Sequence, residues 1–255
     1  MCVRYAESTP EAIDRILASD PVAIVPVGAL EWHGDHLPLG TDGILAEAFA
    51  ERLANLEKGL LLPTYWLPIT TLPHRLSLGI RTETFRMWLE DLLQGLVGIG
   101  LRRIAIVTGH YAQAHEIELY EAALGTMEDH PGVRVFAAAP LEPLDRFELL
   151  DHAGRWETAQ LSAIRPELAD PSRLPRTIEP KVHGVLGEHP SLGTAAEGSE
   201  VIEEALGAWS RWFASSREDL RDWYQNAFDR YQPYVDAYYQ GSWQDAIERW
   251  WAERG

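Results

Sequence analysis

Between Pro26 and Gly43 the chain reads PVGALEWHGDHLPLGTDG, placing Glu31, His33, Asp35, His36 and Asp42 where an ordinary strand would turn and leave. Imidazole and carboxylate in one short stretch suit proton transfer or the binding of divalent cations such as Zn²⁺ and Mn²⁺. Glu31 and His33 are two apart, so an extended segment projects both from the same side. Asp42 follows Thr41 at the head of a helix, where the helix dipole favours a carboxylate that can double as a metal ligand. Taken singly, Glu31 reads as a surface charge, His33 as a satisfied loop histidine and Asp42 as a helix cap. Taken together, those readings weaken.

Two later clusters carry the same chemistry. In IAIVTGHYAQ, His110 follows the strand-ending Thr108 and Gly109, which sets it on the same rim as the first group if the strands are parallel. An ordinary strand-end histidine is the alternative. In LLDHAGRWETAQLSAI, His152 and Glu157 straddle a glycine-containing turn into a helix. Alone, they read equally as a surface histidine and a capping acid. No glycine-rich phosphate loop and no GxSxG elbow is present. The one cysteine, Cys2, lies near a terminus expected to fray, which disfavours a cysteine nucleophile, an internal disulfide and a thiolate zinc site. Metal chemistry through histidine and carboxylate is what remains.

The elements expected to position these residues alternate. STPEAIDRIL reads as a capped helix, PVAIVPVG as a buried strand and GILAEAFAERLA as a helix. GLLLPTYWLPI reads as a strand, TETFRMWLEDLLQGLVGIG as a helix and RRIAIVTG as a second buried strand. AHEIELYEAALGTM, VRVFAAA and WETAQLSAIRPEL continue the pattern as helix, strand and helix. The expected fold is therefore α/β: one layered domain with a mainly parallel central sheet flanked by helices. Open sheets of this kind hold ligands at the carboxyl ends of their strands, which is where the first motif falls. Residues 168–193 are rich in Pro, Gly and charge and read as a long functional loop. The tail from Thr194 reads as helical. Its aromatic segments AWSRWF, DWYQNAFDRYQPYVDAYY and SWQDAIERWW suit core packing first, with a subunit contact or a lid over a site as alternatives.

Composition narrows the partners. The chain has 255 residues, 46% of them hydrophobic, and a net charge of −17. That charge argues against nucleic acid and anionic membranes as partners. With no leader-like N-terminus and no run long enough for a membrane span, the expected setting is cytoplasmic.

The motifs resemble those of the creatininase (creatinine amidohydrolase) family. EWHGDHLPLGTD is similar to its Glu-x-His-Gly-x-His-Leu-Pro signature ending in Asp, TGHYAQ to its Gly-His strand end, and HAGRWET to its His-Ala-Gly element. HGVLGEHPSLGTAAEGSEVIEEAL resembles the family's late glycine-rich loop and the following helix. The resemblance implies a creatininase-like domain over residues 1–206 with a helical C-terminal extension over 207–255. It also implies two divalent ions, zinc with a second zinc or manganese. Glu31 and His110 would bind one ion, His33 and Glu157 the other, and Asp42 would bridge them. A bridging hydroxide would attack a substrate carbonyl, with His152 passing a proton to the leaving nitrogen. His36 would orient a ligand or pack the loop, and Tyr111, Trp156, His74 and Arg81 are candidates to line the substrate wall, each equally readable as core or surface.

Two departures weigh against creatinine as substrate: Ala112 stands where creatininase has Glu, and Glu148 where it has Trp. The leading expectation is hydrolysis of a non-peptide amide C–N bond, cyclic or linear, in a small polar molecule. Hydrolysis of another bond, such as a cyclic ketone ring, and a non-catalytic metal-binding assembly protein are the alternatives. By the same resemblance the assembly is a homo-oligomer, a hexamer.

Overall fold

The structure is a computed structural model and describes residues 2–239; SWQDAIERWW lies outside them. Strand β1 (Val3–Arg4) leads to helix α1 (Pro10–Leu17), which Thr9 caps, and then to β2 (Val22–Gly28). Next come α2 (Thr41–Glu57), β3 (Leu60–Leu61), β4 (Tyr65–Trp66), α3 (Thr82–Gly98) and β5 (Arg103–Thr108). The chain continues through α4 (Gln113–Asp129), β6 (Arg134–Ala138), α5 (Arg155–Ile164) and the short α6 (Pro180–His183). It closes with α7 (Ala195–Ala214) and α8 (Arg217–Tyr239).

The sheet runs β1-β3-β2-β5-β6, with β4 also on β2, and every pairing among these strands is parallel. Strand β2 is buried along its whole length, as its apolar run requires. The chain leaves β2 for β3 on one side and then crosses back to β5 on the other. The order therefore reverses between β2 and β5, which opens a crevice at their carboxyl ends.

GLLLPTYWLPI departs from the single strand expected of it. It forms two short strands that pair with different parts of β2, Leu60–Leu61 with Ala23–Ile24 and Tyr65–Trp66 with Val27–Gly28. Pro63 lies between them and has no N–H to give a ladder. Residues 168–193 make several short 3-10 turns and α6 rather than one structureless loop.

The helices fall into two groups, α2, α5 and α7 packing together and α3, α4 and α8 packing together. The tail aromatics Trp209, Trp212, Trp223 and Tyr224 ring Phe136 of β6 and Tyr120 of α4. Packing is thus their use here. The Tyr120 and Tyr231 hydroxyls both donate to buried Glu142, tying α8 to the turn after β6. Helix α7 runs unbroken through residues 206 and 207. A smaller apolar cluster of Leu37, Leu45, Ala153, Leu161 and Val185 packs the first motif against α5 and the late loop. Among the described residues no helix is long and apolar enough to cross a membrane.

Candidate metal centre

Three glycines let α2 start inside the crevice. A Cβ on Gly28 would stand 2.3 Å from the Gly43 Cα, and one on Gly109 would stand 2.0 Å from the Asp42 carbonyl oxygen. The ends of β2 and β5 therefore touch the first turn of α2 backbone to backbone, and Asp42 is carried between the two strands. Gly43 gives the same turn room against the indole of Trp66.

Around Asp42 the predicted side chains converge. Its Oδ1 lies 2.7 Å from Nε2 of His33, and its Oδ2 lies 3.2 Å from Nδ1 of His110. His110 Nδ1 is also 2.9 Å from Glu31 Oε2, and His33 Nε2 is 3.5 Å from Glu157 Oε2. Two overlapping sets result, Glu31–Asp42–His110 and His33–Asp42–Glu157, each with its ligand atoms within 4.8 Å of one another. All five residues are between 0 and 3% exposed.

The neighbours of these groups fit them to cations. His33 Nδ1 is 3.1 Å from the Glu31 carbonyl, and His110 Nε2 is 2.9 Å from the Ile69 carbonyl. A carbonyl only accepts, so each ring puts an N–H there and turns its other nitrogen to the carboxylates. Glu31 Oε2, His33 Nε2 and Asp42 Oδ2 are buried with the cluster's own carboxylates and imidazoles for polar neighbours. Such a set is costly unless positive charge lies among it.

The titration behaviour agrees. Burial pulls the His33 imidazole down, but Asp42 and Glu157 outweigh it and push it up to about 10. Burial likewise opposes the charging of His110, yet Glu31 and Asp42 raise it well above the usual range. Asp42 is drawn far down by His33 and His110 against the cost of burial. Glu157 goes the other way: burial, with Asp42 beside it, holds it well above the usual carboxylate range, although His33 pulls down. Where no metal is bound, protons supply the charge. Histidine and carboxylate in two sets sharing one aspartate suit Zn²⁺ or Mn²⁺.

His152 completes the cluster. Its Nε2 is 3.0 Å from the Trp32 carbonyl, its ring centroid lies 4.2 Å from that of His33, and it groups with Glu31 and His33. Burial and the charge on His33 hold its pKa down to about 4. Its backbone exchanges hydrogen bonds with Leu186 of the late loop at 2.9 and 2.8 Å. Ala153 then takes a left-handed φ of 52°, unusual for alanine, and donates its N–H to Glu157 Oε2 at 2.6 Å.

The remaining predicted residues divide. His36 Nε2 meets Thr158 Oγ1 at 3.2 Å, linking the first motif to α5 one residue beyond Glu157. The Tyr111 hydroxyl is buried beside Gln160, and burial next to Glu157 keeps it protonated. His74 stacks on Trp32. Trp156 packs against the main core with the Arg155 guanidinium 4.8 Å above its ring, and Arg81 is exposed just before α3.

Three groups at the site carry no signal as ligands in the sequence. Asp151 accepts from the N–H of Trp156 at 2.7 Å and of Glu157 at 3.1 Å, capping the helix that presents Glu157. Leu72 donates its N–H to Glu31 Oε1. The Ile69 carbonyl orients His110. An aspartate shortly before a helix is a readable cap, but a supporting backbone group has no residue type to betray it.

The family model of creatinine amidohydrolase matches residues 6–213. The creatinine amidohydrolase of Pseudomonas putida is 28% identical over 196 residues, covering 65% of this chain and 74% of that protein. The mycofactocin precursor peptide peptidase of Mycobacterium ulcerans (strain Agy99) is 25% identical over 224 residues, covering 75% and 86%. Among solved structures, a crystal structure of creatininase superposes with a TM-score of 0.72 at 20% identity, covering 84% of this chain and 99% of that one. A manganese creatininase (TM-score 0.72) and a Zn-Zn type of a mutant creatininase (TM-score 0.71) align at 20% identity over 86% of this chain and 99% of theirs. The fold is theirs. With its family model matched over most of its length, the chain belongs to the creatininase (creatinine amidohydrolase) family.

Proposed function

We propose that this chain is a metal-dependent amidohydrolase that cleaves a non-peptide amide C–N bond, cyclic or linear, in a small polar molecule. The observation that carries the reading is Asp42, whose two oxygens face two different imidazole–carboxylate pairs. Glu31, Asp42 and His110 would hold one divalent ion and His33, Asp42 and Glu157 a second. Zinc is the first choice and manganese an alternative at one position, since related structures carry both. Bound there, the ions would supply Lewis acidity, lowering the pKa of a water and polarising a carbonyl.

The chain's own groups would handle the proton. His152 gives its Nε2–H to the Trp32 carbonyl, so Nδ1 keeps a lone pair. It can take a proton from the attacking water at Nδ1 and return it to the nitrogen as the C–N bond breaks. Tyr111, kept protonated by burial beside Glu157 with Gln160 as its neighbour, is a donor for a polar group of the substrate.

The test is a screen of the metal-loaded chain against creatinine, other lactams, formamides and short peptides. Release of amine, ammonia or formate that disappears in His152→Ala is the expected result. Peptides belong in the panel because one relative is named a precursor peptide peptidase. Turnover of peptides alone or of nitrogen-free rings alone, or turnover untouched by His152→Ala, would overturn the reading.

A further inference from the structure

Glu31 and His33 face the metal cluster, and between them stands a tryptophan, with contacts of its own on every side. The Trp32 N–H donates to Ser77 Oγ at 3.1 Å, and its carbonyl accepts from His152 Nε2 at 3.0 Å. Its indole stacks on the His74 imidazole, with centroids 4.8 Å apart and planes 18° from parallel. Gly184 presses on the same indole: a Cβ there would stand 2.8 Å from Cε3 and 2.9 Å from both Cδ2 and Cζ3. Near-equal distances to three adjacent ring atoms mean that the glycine sits over the face of the ring. Its φ of +62° also strains an ordinary side chain there.

These contacts join three segments far apart in sequence. The stretch from Ile69 to Gly79 is pinned to the first motif by Leu72 on Glu31, Ser77 on Trp32 and Leu78 N–H on the Leu30 carbonyl at 2.9 Å. The late loop bears on the motif through Gly184, and through His183, whose carbonyl oxygen would lie 2.8 Å from a Cβ on Gly34. It also holds the backbone of His152 through Leu186. His152 is thus fixed at its backbone by the late loop and at its ring by Trp32. The two supports are linked through Trp32, whose indole lies under Gly184 of the late loop.

The geometry points to Trp32 as a positioning residue: clasped by His74 and Gly184, it aims the carbonyl that keeps the His152 proton on Nε2 and leaves Nδ1 free as the base. This rests on the role proposed above for His152. A large flat ring suits the task, because it offers broad contact area to the imidazole and the glycine with only two side-chain torsions to fix.

The experiment is histidine-selective ¹⁵N NMR of the zinc-loaded full chain, with the His152 signals assigned by their loss in His152→Gln. In the unaltered chain His152 shows the Nε2–H tautomer and a slowly exchanging ring proton. In Trp32→Ala, with zinc content and circular dichroism unchanged, that proton exchanges about tenfold faster, the scale of one weakened hydrogen bond, and Nδ1–H tautomer appears. Trp32→Phe restores most of the protection, and His74→Ala shifts it in the same direction by less. Unchanged tautomer and exchange in zinc-loaded Trp32→Ala overturn the proposal. If Trp32→Ala fails to fold or to hold zinc, His74→Ala decides, and exchange there indistinguishable from the unaltered chain overturns it. None of these readings needs turnover. A chain that behaves as predicted yet hydrolyses no amide keeps the clasp and loses the amidohydrolase reading.

Discussion

Nε2 of His33 lies 2.7 Å from Oδ1 of Asp42, while the other nitrogen of the same ring is committed to the Glu31 carbonyl. A lone pair and a carboxylate at that distance repel unless a cation lies between them, and the other Asp42 oxygen repeats the arrangement at His110. Asp42→Asn keeps the shape but removes the charge shared by both halves. It should lower the affinity for both ions, by more than the roughly 10–100-fold typical of an outer supporting group. Chelator competition measures this. Loss of one ion with the other held at full affinity would show that Asp42 is not shared.

Asp151 touches no predicted ligand atom, yet it receives the N–H groups of Trp156 and Glu157. Asp151→Ala should cost about 1 kcal/mol of stability as a lost helix cap. It should also weaken metal binding about 10–100-fold by freeing the Glu157 turn. Asp151→Asn, which keeps a side-chain acceptor, should lose less of both. Denaturant unfolding and zinc competition read the two effects separately, and a stability loss with unchanged affinity would confine Asp151 to the helix.

Protons and metal compete for His33 and His110. With His33 pushed up to about 10, its ring is charged at neutral pH in the metal-free chain. Metal can bind only its neutral form, so uptake near pH 7 must release protons, and affinity must fall as pH drops. Calorimetry in buffers of different ionisation enthalpy measures the release. Uptake with no proton release would contradict the assignment of these rings as ligands.

Two glycines should respond oppositely to alanine. A Cβ on Gly109 would meet the Asp42 backbone at 2.0 Å, whereas one on Gly125 within α4 would find nothing within 4 Å. Gly109→Ala should destabilise by about 1–3 kcal/mol and impair metal binding by pushing α2 away from β5. Gly125→Ala should stabilise by about 0.5–1 kcal/mol through helix propensity. Thermal unfolding checks both, and equal shifts would mean the close approach at Gly109 is not rigid.

The parts of this site that were legible in the sequence are those written in side-chain type. Glu31, His33 and Asp42 sit within one motif, and β2 and β5 are short continuous apolar runs followed by helix-length segments, so their ends are locatable and the C-terminal rim can be inferred. His110 follows from the same strand rim, whereas Glu157 as a ligand is what the family resemblance implies. What stayed hidden is carried by backbone and by short segments. The Ile69 and Trp32 carbonyls orient two histidines through atoms every residue has. β1, two residues long, shows no periodicity before it joins the sheet beside β3. For Tyr111, Trp156, His74 and Arg81 residue type alone does not separate substrate wall from core or surface. The Tyr111 hydroxyl is buried beside Gln160, His74 packs on Trp32, Trp156 packs against the main core and Arg81 is exposed just before α3.

Anomalous diffraction from crystals of the zinc-loaded chain tests the central claim most directly. The account predicts two metal peaks per chain, both bonded to Asp42, one shared with Glu31 and His110 and the other with His33 and Glu157. A single peak, or any peak in this cluster that leaves Asp42 unbonded, would contradict it.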